Sequence, residues 1–377
     1  MTPHSTASLG RDLAADFFRL QKTVDYRASP SVQPRGPSGP LASQSASACE
    51  FVAYNALGNR IAAISREHVA NMSATSSVIR IWNPERADAK YATVVRSGPQ
   101  GGGHTGAVSC VAWDPTSSER LVSCSREDGM VRLWDVRLNR GLAAYRVTSF
   151  LSQGPTMVRY SPDGRWVFGI AEDRIIVLHR ETLQPIAGFE SGFDVLDKAN
   201  SDGHVICARI SFSSNVIAVG LSSGRVKFFH FDTSTGVIKV DSQDPSQPAP
   251  LAVIQAHVAD ITCLEFSPRG KYMAIGSEDS LVSIWDLHDL VCVRTISKIS
   301  HRVSCVSFSF DGAFLAIAYG ERDPIEIIHV DTGEDIYKIP QSFHFHVPSL
   351  EWHPSQYWLA YAGDPTGMKI LCNTGNK

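Results

Sequence analysis

The sequence predicts an all-β fold, seven four-stranded blades arranged in a closed ring, and three observations carry that expectation. An aromatic residue recurs at the end of a short apolar stretch, just before a turn. It stands at Tyr54, Trp113, Tyr160, Phe212, Phe266, Phe308 and Trp352, with spacings of 59, 47, 52, 54, 42 and 44 residues. A second landmark trails it at Trp82, Trp134, His179, Phe229, Trp285, His329 and Leu371, at offsets of 28, 21, 19, 17, 19, 21 and 19. Between the landmarks, runs such as "ITCLEF", "YMAIGS" and "LVSIWDL" alternate apolar and polar residues around the turns "SPRG" and "SEDS". Alternation of period two, broken by turn residues, is the pattern of successive antiparallel strands.

A period of about 40–45 residues with four strands and Trp-Asp endings is the signature of a WD40 β-propeller. A single blade cannot bury both its faces, whereas seven in a ring bury them against one another. The ring must also close. The seventh unit ends soon after its third strand, and "KTVDYRAS", Lys22 to Ser29, reads as a lone strand before the first full unit. That strand is expected to supply the fourth strand of blade seven and remove two open edges. The expected organisation is an N-terminal segment over 1–21, the propeller over 22–373 and a short tail over 374–377.

Within 1–21, "LGRDLAADFFRLQ" places Leu9, Leu13 and Phe17 at i, i+4 and i+8, which predicts a short amphipathic helix. It would either dock a partner or cap the ring. The insert 28–47 is rich in Pro, Ser and Gly and reads as mobile. Arg66 to Ser77 swells the hairpin of blade one, and Glu190 to Gly203 joins blades three and four. In a WD40 ring these three stretches share a face, and the insert 232–250 emerges on the other. Long insertions are candidate contact sites, because the strands are committed to packing.

The acidic residues beside the tryptophans raise the question of chemistry. Asp279 lies six residues before Trp285, and His257 lies nine before Phe266; Asp128, Trp134 and His104 repeat the pattern. An Asp–His–Trp network of this kind satisfies buried polar groups that otherwise cost about 1–3 kcal/mol each. His104, Asp128, Trp134, His257, Asp279 and Trp285 are therefore expected to be structural joints and not a catalytic site. The other five units lack the histidine at that spacing. Asp173 and Asp323 keep the six-residue spacing, to His179 and His329.

Other signals look chemical and read more simply as architecture. "GLSSG", Gly220 to Gly224, matches a nucleophile elbow, but it lies between two strand-like runs where the elbow needs a helix to follow. "GPQGGGHTG", Gly98 to Gly106, has no Gly-Lys-Ser/Thr after it and reads as a connector, not a phosphate loop. His344, His346 and His353 lack the cysteine or acid that would complete a metal set. Cys110, Cys263 and Cys305 each precede a first landmark by three residues and read as small buried filling. "DKANSDG", Asp197 to Gly203, lacks the Asp/Asn ladder of a calcium loop.

Bulk properties agree with a binding protein. The 377 residues are 43% apolar and 19% charged, with a formal net charge of −3. No strong field draws such a chain to nucleic acid or an anionic membrane. There is no run of eighteen apolar residues, no secretory signal core and no C-x-x-C pair among eight cysteines. A cytoplasmic or nuclear setting fits, and the sequence leaves disulfides open. Neither a cofactor nor a catalytic set is expected.

A resemblance sharpens this. "AHVADITCLEFSPRGKYMAIGSEDSLVSIWDLHDLVCVRTIS" resembles the fifth blade of the THO complex subunit 3 family. "VSCVSFSFDGAFLAIAYGERDPIEIIHVDTGEDIYKI" and "PSLEWHPSQYWLAYAGD" are similar to its last two blades. "LWDVRLNRGLAAYRV" and "VRYSPDGRWVFGIAEDRIIVLHRETLQP" are similar to its second and third. The resemblance spans roughly 22–372. It is strong over 251–363 and loose over blades one and four, and the inserts at 28–47, 66–77 and 232–250 depart from the compact family pattern. It implies a non-catalytic nuclear scaffold of the THO assembly, which within TREX couples transcription to mRNA packaging and export. The implied partners are the large THO subunits and, through them, a DEAD-box RNA helicase. The alternative is a WD40 adaptor of another assembly, a ubiquitin-ligase receptor or a chromatin complex. Direct RNA binding would rest on Arg11, Arg19, Lys22, Arg27 and Arg35.

Overall fold

The alternating units fold as seven four-stranded antiparallel sheets, each ordered as a meander. The computed structural model describes residues 9–27, 49–68, 75–85, 92–95, 103–147, 154–196, 202–239, 249–297, 301–320, 323–340, 347–364 and 367–373. The insert 28–47, Arg35, His344, His346 and the tail 374–377 lie outside the described residues, as do 69–74, 197–201 and 240–248 within the other inserts.

Blade one comprises Cys49–Tyr54, Ile61–His68, Thr75–Trp82 and Thr93–Val95. Blade two comprises Cys110–Trp113, Arg120–Cys124, Met130–Asp135 and Arg140–Arg146. Blade three comprises Met157–Tyr160, Trp166–Ile170, Arg174–His179 and Phe193–Asp194. Blade four comprises Val205–Ile210, Val216–Leu221, Arg225–His230 and Pro250–Gln255. Blade five comprises Ile261–Phe266, Tyr272–Ser277, Val282–Asp286 and Val291–Ile296. Blade six comprises Val303–Phe308, Phe314–Tyr319, Ile325–His329 and Asp335–Ile339.

Blade seven closes the ring. Its first three strands are Leu350–Trp352, Leu359–Asp364 and Gly367–Cys372, and its outer strand is Lys22–Arg27. The outer strand runs antiparallel to the third, from Lys22 opposite Cys372 to Arg27 opposite Gly367. The chain therefore begins and ends its ring in one sheet, and no blade is left with three strands. The core is a set of apolar clusters between neighbouring blades. Between blades three and four, for example, Phe168 and Phe231 meet edge to face with ring centres 4.9 Å apart.

The helix forms over Arg11–Leu20, but it buries a face one residue round from the expected one. Leu13 is 67% exposed, while Ala14 and Phe18 are fully buried. Phe18 enters an aromatic pocket of blades six and seven, 5.5 Å from Phe314 and 5.9 Å from Trp352 between ring centres. Leu9 and Phe17 pack at its margin. Two i, i+4 lines run side by side on this helix, and the line holding Phe18 wins because the pocket is lined by rings. The helix is thus seated on its own ring.

Register corrects three landmark positions. Ile210, not Phe212, occupies the first column in blade four. It pairs with Ile217 as Phe266 pairs with Met273. Ser211 then opens the turn, as Ser267 does in blade five, and Phe212 is left 54% exposed. With Ile210 in place, the offset to Phe229 becomes 19 residues, as in blades five and seven. Leu178 and Ile328, not His179 and His329, occupy the second column, opposite Val167 and Leu315. Both histidines sit one residue further on, outside the packed seam. Apolar side chains took the buried position and the imidazoles the wetter one.

Two inserts also differ from expectation. In blade one the ladder continues through Arg66–Ser77, Glu67–Ser76 and His68–Thr75, so the hairpin is extended strand there. In the stretch 190–203, Phe193 and Asp194 form the outer strand of blade three, opposite Ile175 and Arg174. The insert after blade four's third strand is rooted on blade three, where the Trp166 indole donates to the Thr233 carbonyl at 2.8 Å.

Candidate functional site

The acidic turn of blade five is a relay of hydrogen bonds. Asp279 accepts from His257 Nδ1 at 3.0 Å and from the Leu281 amide at 3.1 Å. His257 Nε2 lies 2.7 Å from Ser283 Oγ, which accepts the Trp285 indole N–H at 2.8 Å. One proton arrangement satisfies the set: Trp285 donates to Ser283, Ser283 to His257 and His257 to Asp279. Blade two repeats it. His104 lies 2.9 Å from Asp128 and 2.8 Å from Ser123, and Trp134 donates to Ser123 at 2.8 Å. Burial pushes the Asp128 carboxyl up, but the His104 contact and the amides of Met130 and Thr105 outweigh it and hold the group below its usual range.

The structure thus brings the six residues together as two sets of three, with a serine between the histidine and the tryptophan in each. Sequence reasoning missed Ser123 and Ser283 because they occupy different strands. Ser123 is on the second strand of blade two, opposite Arg132. Ser283 is on the third strand of blade five, opposite Ile275. The hydroxyl comes from either side of one cross-strand pair, so no single column records it. Blade six holds a further His–Asp pair, His301 to Asp323 at 2.8 Å, with the histidine seven residues before Phe308. Asp173 instead accepts from its neighbour Arg174 at 3.1 Å.

A second polar column stands two residues before the second landmark. It reads Arg80, Arg132, Lys227, Ser283, Glu326 and Lys369, with Ile176 as the apolar exception in blade three. Each blade fits its own partner. Arg80 donates to Ser65 at 2.6 Å, Lys227 pairs with the buried Asp202, and Glu326 accepts from Tyr319 at 2.9 Å and Lys338 at 2.6 Å. The runs "IRIW", "VKFF", "VSIW", "IEII" and "MKIL" displayed this column in the sequence. These groups are consumed by blade packing.

The inner strands surround a central channel of about 540 Å³. One residue before the first landmark, six of the blades turn a side chain toward it, Ala53, Ala112, Arg159, Arg209, Glu265 and Glu351, while Ser307 of blade six is buried. The two carboxyls tie blades together. Glu351 of blade seven accepts the Tyr54 amide of blade one at 2.8 Å. Glu265 of blade five accepts the Phe308 amide and Ser307 hydroxyl of blade six at 3.4 and 3.3 Å. Burial pushes the Glu351 carboxyl up to about 8, and it raises Glu265 as well, against the pull of Arg209.

Two residues further back lies a layer of sulfur. Correcting blade four to Ile210 adds Cys207 to the column of Cys110, Cys263 and Cys305. All eight cysteines are free. Burial pushes the Cys207 and Cys305 thiols up to about 11, far from the thiolate form that reacts or binds metal. "GLSSG" is a hairpin turn between two strands. Gly224 has φ +76°, and a Cβ there would come within 2.2 Å of the His257 carbonyl oxygen. His353 packs against Gly58, and burial pulls its imidazole down to about 4. Among the described residues no three His, Cys, Asp or Glu gather as a metal set.

Known proteins place this architecture. The WD40 model, "WD domain, G-beta repeat", matches residues 99–135, 248–286 and 290–322. THO complex subunit 3 of Arabidopsis thaliana is 32% identical over 325 residues, covering 86% of this chain and 89% of that protein. The chain belongs to the THO complex subunit 3 family. The WD repeat-containing protein AAC3 of Dictyostelium discoideum is 28% identical over 82% of this chain and 60% of its own length. Human striatin is 27% identical over 64% of this chain but only 29% of its own length. A crystal structure of the Cps50 (Swd1) β-propeller domain of Myceliophteria thermophila superposes with a TM-score of 0.65. It covers 86% of this chain and 96% of that one at 15% identity, a likeness of fold alone. Membership of the THO complex subunit 3 family, with its polar joints spent on packing, points to a scaffold.

Proposed function

We propose that this chain is a non-catalytic protein-binding subunit of the nuclear THO complex, acting within TREX to couple transcription to mRNA packaging and export. The observation that carries the reading is matched length. The THO complex subunit 3 relative aligns over 89% of itself, whereas in striatin the aligned part is 29% of a longer protein. The aligned region is thus most of the THO relative, and it spans 86% of this chain.

The surface supports a binding role. Leu251 and Val253 on the outer strand of blade four, and Val291 and Val293 on that of blade five, are about half exposed. Each outer strand also presents an unpaired edge. The proposed partners are the large THO subunits, with a DEAD-box helicase reached through them and RNA met indirectly. Of the basic residues near the N-terminus, Arg11 pairs with Glu334 and Arg19 with Asp16.

The test is affinity purification of the tagged chain from nuclear extract after RNase treatment, with mass spectrometry. Large THO subunits that persist after RNase support the assignment. Recovery of a ubiquitin ligase or a chromatin complex in their place overturns it.

A further inference from the structure

The charged layer of the channel is unevenly used. Glu265 and Glu351 each accept a backbone amide from the next blade, so their carboxyls belong to the seams. The two arginines are less fully used: Arg159 reaches blade two through Cys110 and lies 5.8 Å from the Phe51 ring centre of blade one, whereas Arg209 bonds only within its own strand. Arg159 donates through Nη1 to the Val158 carbonyl at 2.8 Å and to Cys110 Sγ at 2.8 Å. Arg209 donates through Nη1 to the Ala208 carbonyl at 3.2 Å. A guanidinium has five N–H donors in a planar fork. Among the described residues, Nε and Nη2 of both have no hydrogen-bond acceptor, and neither arginine is in an ion pair with a carboxylate. Both line the channel.

Their place in the ring is also distinctive. Arg159 and Arg209 stand at the same level on the inner strands of adjacent blades, three and four. Those two strands approach each other least of the seven neighbouring pairs. The seam is closed further out, by Phe168 and Phe231. Two cations with no ion-paired carboxylate among the described residues thus face the channel on either side of the seam whose inner strands approach least. The level lies one residue from the turns joining first and second strands, so it is reached from that face. At the rim, Phe212 is 54% exposed beside Ile210.

We infer that Arg159 and Arg209 form a docking site for an acidic side chain on a short peptide segment of a partner protein, inserted into the channel from the face where Phe212 lies. Paired guanidiniums match a carboxylate in shape and charge. The apolar rim suits a neighbouring apolar residue of the same segment. A nucleic-acid strand fits less well, because it brings a charge at every nucleotide and would carry further phosphates past Glu265 and Glu351. Burial holds Glu351 up near 8, so at neutral pH the layer does not carry both carboxylate charges. The site stands apart from membership of any particular assembly.

The experiment uses the full chain and two immobilised octapeptide pools, random except for a central glutamate in one and glutamine in the other. The glutamate pool should retain the protein about tenfold better or more, the worth of a charge-assisted contact. Arg209→Met, which loses the bond to the Ala208 carbonyl and the attraction for the Glu265 carboxyl, should abolish that preference while the protein still melts in one cooperative transition. Arg159→Met serves as the second variant, on the other side of the site. Equal retention by the two pools overturns the inference, as does a preference that survives both substitutions. A short oligouridylate that displaces the protein more strongly than free acidic peptide overturns it in favour of nucleic acid.

Discussion

Lys22 lies opposite Cys372, so the first strand of the chain and the last are neighbours in one sheet. Closure of this kind ties the stability of every blade to a segment remote in sequence. Deleting residues 1–30 is expected to lower the melting temperature of the whole ring, because blade seven loses its outer strand and the edge of Gly367–Cys372 opens. Deleting 1–20 removes only the docked helix and should lower it less. Thermal melts of the two truncations check this. Equal melting of the 31–377 chain and the full chain would refute the closure.

The relay in blade five sets a second expectation. Asp279→Ala leaves His257 and the turn amide without their acceptor and should destabilise by about 1–3 kcal/mol. Ser283→Ala should cost a similar amount, about 1–3 kcal/mol, by stranding both the Trp285 indole and His257 Nε2. Urea denaturation measures both. If Asp279→Ala instead abolished partner binding while its denaturation curve stayed that of the wild type, the joint would be a functional site.

Glu351 should make stability fall with rising pH. Its carboxyl, ordinarily near 4.5, is held up to about 8 by burial, although the Tyr54 amide pulls it down. Between those values the folded state holds the proton more tightly than the unfolded chain, so raising the pH favours unfolding. Glu351→Gln keeps an oxygen for the Tyr54 amide and removes the titration. The variant should therefore gain stability relative to wild type from pH 5 to 8, with the gain levelling off above about 8. Parallel profiles from denaturant melts would count against this account.

His353 acts in the opposite direction. Burial lowers its pKa from 6.5 to about 4, so the fold holds the ring neutral. Its contribution is fully present above 6.5 and is lost as the pH falls towards 4, since the unfolded chain binds the proton first. His353→Asn retains an acceptor for the Ser355 amide, which His353 Nδ1 takes at 3.1 Å. Between pH 7 and 5 the variant should lose less stability than wild type, as read from urea midpoints. An equal acid loss in both would remove His353 as the cause.

Much of the fold was legible because its signals are local. Period-two alternation, turn residues and a recurring aromatic each report on a few neighbouring residues, and seven repetitions made the register cumulative. The misplacements came where two residues satisfied the same pattern. In "RISFSSN", Ile210 and Phe212 are both apolar and lie two apart, so alternation alone does not say which one ends the strand. At His179 and His329 the ring side chain resembled the tryptophan of other blades, but burial selected the aliphatic neighbour. The helix offered two adjacent apolar lines, and only the pocket formed by Phe314, Trp352, Tyr337 and Tyr357 distinguishes them.

The candidate sites were legible in part for the same reason. His257, Asp279 and Trp285 keep fixed spacings, since a turn and its two strands fix their separation along the chain. The serine that joins them does not, because a hydroxyl on either member of a cross-strand pair reaches the same point. The channel layer lies further still from sequence reasoning. Arg159, Arg209, Glu265 and Glu351 each stand one residue before the first landmark, but they belong to four blades and differ in charge, so no single residue type marks the column. The sequence by itself determined the number of blades, the strands within them and the strand that closes the ring, since these follow from repeats and turns read along the chain. Which side chains meet across the centre was decided only by closure of the ring, which brings the inner strands of remote blades to one axis.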